Sequence, residues 1–120
     1  MSQVPTSYAQ LARDINAQVT TLRKAQPEVM EGFGRLARAA TAAGTLSAKA
    51  KELIATALGV AAHCDGCIAF HAKALAELGA TRAELEETLA VAVYMGGGPS
   101  LMYSANALEA FDQFQRKSAD

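Results

Sequence analysis

Both cysteines and both histidines of the chain fall in one short stretch, His63-Cys64-Asp65-Gly66-Cys67-Ile68-Ala69-Phe70-His71. Two thiols three positions apart, with an imidazole one turn further on, suit three kinds of chemistry. The first is redox. A cysteine in the first turn of a helix meets free amides and the positive end of the helix dipole, which lower its pKa and make it a nucleophile near neutral pH. If a peroxide converts one thiolate to a sulfenic acid, the other thiol can condense with it to a disulfide. His71, one turn beyond Cys67, can take or return a proton. The second is metal binding, since His63, Cys64, Cys67 and His71 could supply four ligands. The long gap between ligand pairs of a structural zinc module is missing, and adjacent His63 and Cys64 would have to point the same way, so no metal is expected. The third is plain packing, because free cysteine is among the most buried residue types.

The elements that must position these groups read as helices. Alanine and leucine dominate a 120-residue chain that is 51% hydrophobic, with three Pro and no Trp. That composition predicts an all-α domain of about six helices, one domain over residues 1–120. Leu11, Ile15, Val19 and Leu22 mark a first helix from Ser7 to Ala25. Pro27 opens a second, carrying Val29, Met30, Phe33, Leu36 and Ala40 and ending near Gly44, and the two form an amphipathic hairpin. Ser47 caps a third that runs toward His63. A fourth begins in the cysteine motif and ends at Gly79, and Thr81 with Glu84 has capping-box spacing for a fifth. Gly96-Gly97-Gly98-Pro99 reads as a tight turn into a sixth, from about Pro99 to Phe114, with frayed residues beyond.

Advancing about 100° per residue from Cys64 puts Cys67 near 300°, His71 near 340°, Leu75 near 20° and Leu78 near 320°. Both thiols and the imidazole therefore share a stripe with core leucines, opposite Lys73 and Glu77. On the third helix Leu53, Ile54, Ala57, Leu58 and Ala61 form the apolar arc. Periodicity thus turns Glu52 to solvent, beside Ala55, Thr56 and Gly59, unless another helix or subunit covers that side. Phe70, displaced toward the polar side of its helix, with Phe111 and Phe114 on the sixth, points to a subunit interface and a homo-oligomer.

A net charge of -1 without a Lys/Arg cluster argues against a nucleic-acid partner. No signal-peptide pattern or membrane-length apolar run is visible, so a cytoplasmic protein without membrane contact is expected. Two cysteines this close cannot staple a long loop, which excludes the disulfide framework of a small secreted domain.

From Ser47 to Phe114 the chain resembles the AhpD-like alkylhydroperoxidase family, grouped with carboxymuconolactone decarboxylases. The likeness rests on Glu52, followed after eleven residues by Cys64-Asp65-Gly66-Cys67-Ile68-Ala69-Phe70-His71, then on Leu78-Gly79-Ala80-Thr81 and Tyr94-Met95-Gly96-Gly97-Gly98-Pro99. It implies an all-helical fold, trimers or hexamers, no cofactor, and a thiol-dependent reduction of hydroperoxides. By the same resemblance Cys67 is the peroxidatic thiol, Cys64 the resolving one, and Glu52 and His71 form a proton relay. The implied reductant is a dithiol carrier such as a lipoyl group on a partner protein.

Gly66 departs from the alkylhydroperoxidase pattern, which has a histidine immediately before the second cysteine. That proton carrier is missing here, and His63 reads as a solvated helix-end residue. Two other readings remain: a decarboxylase-like enzyme acting on a small lactone acid, its cysteines incidental, and a redox sensor whose disulfide changes subunit contacts.

Overall fold

The structure, a computed structural model, describes residues 7–119. Six helices follow one another: α1 (Tyr8–Ala25), α2 (Pro27–Thr41), α3 (Ala48–Ala61), α4 (Asp65–Glu77), α5 (Arg82–Gly96) and α6 (Gly98–Ala119). The all-α expectation holds. Each start has a local cause. Ser7 and Ser47 accept the amides of Gln10 and Ala50, Pro27 occupies the first turn of α2, and Thr81 with Glu84 closes a reciprocal capping box. Gly97, at φ 72°, is the single residue between α5 and α6, where the left-handed backbone favours glycine. The glycine run is therefore the helix-to-helix turn expected of it.

α4 lies at the centre, packed against α1, α3 and α6. Its Ile68, Ala69, Ala72 and Leu75 meet Tyr8, Val60, Leu85, Leu89, Ala107, Ala110, Phe111 and Phe114 in one buried cluster. Small alanines on α4 and α6 let these two helices approach closely, and the larger side chains of their neighbours fill the remaining space. The core face of α4 is thus centred on Ile68 and Ala72. Cys67 and His71 lie at its edge, half-buried, and Leu78 caps the helix and is exposed.

Several expectations need correction. α2 stops at Thr41 rather than near Gly44, and α6 continues past Phe114 to Ala119. Phe111 and Phe114 are buried inside the chain, so they cannot mark a subunit interface. α2 has no buried residue, and Val29, Phe33 and Leu36 face outward with α1 behind them. On α3 the expected apolar arc is split, with Leu53 and Ala57 packed against the core. Thr56, Gly59 and Val60 are buried, whereas Ile54 and Leu58 are exposed.

Candidate redox site

The cysteine pair sits where α3 hands over to α4. α3 ends in a Schellman motif: the Cys64 amide donates to the Gly59 carbonyl at 3.0 Å and the His63 amide to the Val60 carbonyl at 3.0 Å. The motif needs a left-handed residue, and His63 supplies it at φ 56°. Outside glycine that conformation costs on the order of 1 kcal/mol. The His63 ring stacks on Tyr103 of α6, centroids 4.9 Å apart, a contact of comparable size that holds the turn against the body of the protein. His63 therefore shapes the α3–α4 turn although it is exposed.

Cys64 completes that turn and also caps α4. Its Sγ accepts the Cys67 amide at 3.1 Å and is joined to Cys67 Sγ in a disulfide. The sulfurs thus lie at the amino end of α4, where the helix favours negative charge on a released thiolate.

α3 and α4 run antiparallel from this turn, and α3 presents Gly59 and Glu52, two turns apart, to α4. A Cβ on Gly59 would stand 3.1 Å from Cys67 Cβ, so the missing side chain is what lets the helices close over the disulfide. Two turns back, Glu52 Oε1 lies 2.6 Å from His71 Nδ1. The Glu52 side chain is 12% exposed and that of His71 31%. A carboxylate offers only lone pairs, so Nδ1 carries the hydrogen in this contact and Nε2 is left to exchange protons. Glu52, which periodicity turned to solvent, faces inward against α4.

Two further residues support the motif from behind. Tyr8 Oη donates to Asp65 Oδ1 at 3.1 Å, and Asn106 Nδ2 donates to the same oxygen at 3.2 Å. Asp65 is the first residue of α4 and directly follows Cys64, so this network fixes the helix end that carries the thiols. Burial, and next the Asp65 charge, push the Tyr8 phenol well above its ordinary pKa and keep it a donor. Sequence reasoning missed Tyr8, Asn106 and Tyr103. Tyr8 lies 57 residues from Asp65 and Asn106 lies 41, and neither separation leaves a periodic signal. Gly66 packs under α1: a Cβ there would stand 2.9 Å from Ile15 Cδ1. α1 therefore covers the position at which a histidine was expected by resemblance.

The four residues weighed as metal ligands are otherwise engaged, His63 with Tyr103, His71 with Glu52, and the cysteines with each other. Among the described residues no group of three or more His, Cys, Asp or Glu is placed to hold a metal. No described helix is long and apolar enough to cross a membrane.

The fold and the site together define an all-helical domain that presents a CxxC disulfide beside a Glu and His pair. The chain belongs to the carboxymuconolactone decarboxylase family, which it matches over residues 27–110. AhpD-like proteins lie in the same superfamily. It is similar to a carboxymuconolactone decarboxylase family protein from Legionella pneumophila, whose apo crystal structure superposes with a TM-score of 0.89 at 57% identity, covering 90% of this chain and 96% of that one. An uncharacterized protein of Cupriavidus necator is 46% identical over 82% of this chain and 88% of its own. An uncharacterized protein of the cox locus of Paracoccus denitrificans is 30% identical over 75% and 81%.

Proposed function

We propose that the chain is a thiol-dependent alkylhydroperoxidase, a peroxiredoxin-like disulfide oxidoreductase that cycles between the Cys64–Cys67 disulfide and two thiols. The observation that carries this reading is the 2.6 Å contact between Glu52 and His71, which leaves a proton carrier one turn beyond Cys67 on the helix that holds the disulfide. In the reduced protein the Cys67 thiolate attacks the outer peroxide oxygen. The O–O bond breaks, Cys67 becomes a sulfenic acid, and the departing alkoxide takes a proton through His71 to leave as an alcohol. Cys64 then attacks the Cys67 sulfur, water leaves, and the disulfide forms. A dithiol carrier, such as a lipoylated protein, donates two electrons and two protons and restores both thiols. Glu52 holds the His71 ring and stabilises its charged form while the proton is in transit.

A homo-oligomer, trimer or hexamer, belongs to the same proposal. Val29, Phe33 and Leu36 of α2, with Ile54 and Leu58 of α3, leave large apolar side chains in water, as do Val91, Tyr94 and Met95 of α5. Patches of this kind on one chain favour burial against further copies.

The reduced protein is titrated for free thiols before and after one equivalent of an organic hydroperoxide, then after dihydrolipoamide. Two thiols are expected to disappear and to return. Cys67→Ser abolishes peroxide turnover, and Cys64→Ser permits the sulfenate but blocks the disulfide. Thiols that survive the peroxide, or full turnover in both variants, overturn the assignment.

A further inference from the structure

Away from the cysteines, α1, α4 and the end of α6 enclose a cleft of about 430 Å³. Its floor is apolar, with Ala12, Ala76 and Phe114, and its rim carries Arg13, Lys73 and Lys117 against one carboxylate, Glu77. Neither lysine makes an ion pair with a described residue, and Arg13 spends one nitrogen on a hydrogen bond to Gln10. A concave site of this size with an apolar floor and a surplus of cations at its mouth has the make-up of a small-molecule pocket selective for anions.

Two placements separate this cleft from the redox site. Lys73, Ala76 and Glu77 lie at roughly 120° to 220° around α4, whereas Cys67 and His71 lie at roughly 300° to 340°. A ligand in the cleft therefore rests on the far side of the helix and does not meet the sulfurs. The cleft is also built largely outside residues 27–110, over which the family model matches, since α1, Phe114 and Lys117 fall beyond them. Its walls are the terminal helices laid over that matched core.

We infer that the cleft between α1, α4 and α6 binds a small organic anion with an apolar body, such as a medium-chain carboxylate, its head group among Arg13, Lys73 and Lys117 and its tail on Ala12, Ala76 and Phe114. The inference does not depend on the thiol chemistry. The same α1 that lines the cleft also bonds Asp65 through Tyr8 and covers Gly66 through Ile15, so an occupant rests on the helix that buttresses the cysteine motif.

The test is calorimetric titration of the full-length, oxidised protein with sodium octanoate, with octanol as the neutral counterpart. Octanoate is expected to bind once per chain and octanol at least about tenfold more weakly, with the difference shrinking as salt screens the rim. Exchanging both lysines, Lys73→Gln with Lys117→Gln, alters exposed positions without disturbing the core and should weaken octanoate about tenfold while leaving octanol unchanged. Ala76→Phe fills the floor and should remove both. No octanoate binding, equal affinity for octanol, or a double lysine variant that binds as tightly as the native chain each overturns the proposal.

Discussion

Gly59 offers a direct test of how α3 and α4 close on the disulfide. Gly59→Ala adds one methyl group to a helix, and in an open helical position that change stabilises by up to about 1 kcal/mol. Here the new Cβ would lie 3.1 Å from Cys67 Cβ and 3.9 Å from the Cys67 carbonyl carbon and the Ile68 amide. Carbon atoms prefer about 3.5 to 4.0 Å, and Cys67 is held by its helix and by the disulfide, so the strain falls on the α3–α4 packing. Overpacking of this kind costs about 1–3 kcal/mol. The net expectation is a loss of about 1 kcal/mol. Gly32, inside α2, supplies the control, because a Cβ there meets nothing within 4 Å. Gly32→Ala should therefore stabilise by about 0.5–1 kcal/mol. The two variants should differ by about 2 kcal/mol, near 8 °C in Tm. Denaturant and thermal unfolding of the oxidised proteins at matched concentration measure the gap. Equal stabilisation by both substitutions would show that the helices are not closed on Cys67 and would refute the reasoning.

Glu52→Gln keeps the shape of the side chain but removes the charge that steadies His71. Hydroperoxide turnover should fall about 10²- to 10⁴-fold, while unfolding changes by only about 1–2 kcal/mol; undiminished turnover takes the pair out of the mechanism. Tyr8→Phe leaves Asp65 with one donor fewer and should cost about 1–2 kcal/mol at neutral pH. Because the folded phenol titrates above its ordinary value of 10.0, its contribution is complete below that pH and is lost as pH rises beyond it. The alkaline fall in stability should thus be shallower in Tyr8→Phe, and parallel curves for the two proteins would contradict the assigned burial. Leu58→Glu should reduce the particle mass seen by light scattering toward the 12.5 kDa of one chain, whereas a native protein already of that mass would defeat the proposed assembly.

Local chemistry accounts for what could be read in the sequence. Ser7, Ser47 and Thr81 with Glu84 bond amides within a few residues of themselves, and Pro27 and Gly97 act through their own backbone angles, so these roles follow from local sequence alone. The placement of Cys64 at the head of α4 was legible for the same reason. Contacts between distant segments were not. Nothing in the order of residues links Tyr8 and Asn106 to one oxygen of Asp65, or His63 to Tyr103. Phe111 and Phe114, grouped with the displaced Phe70, suggest a subunit interface from sequence. In the fold they are covered by the chain's own α1, α4 and α5.

The outward turn of Ile54 and Leu58 on α3 has a different cause. Periodicity identifies which residues share a face, and the larger apolar face is ordinarily assigned to the core. That assignment presumes that a helix has one covered side. α3 approaches α4 so closely that Cys67 occupies the space a side chain at 59 would take, and such an approach admits glycine, a buried threonine and a carboxylate already bonded to His71. Bulky Ile54 and Leu58 have no room there and turn outward, Leu58 with 64% of its surface exposed. Covering either side chain is worth about 1–2 kcal/mol, a cost that a solitary chain would carry without return. A helix that keeps Ile54 and Leu58 outside, while Leu53, Ala57 and Val60 join Thr56 and Gly59 on the inner side, supports the proposed assembly, in which the outer side chains are covered. Glu52 then belongs on the inside for the same reason that Leu58 belongs on the outside.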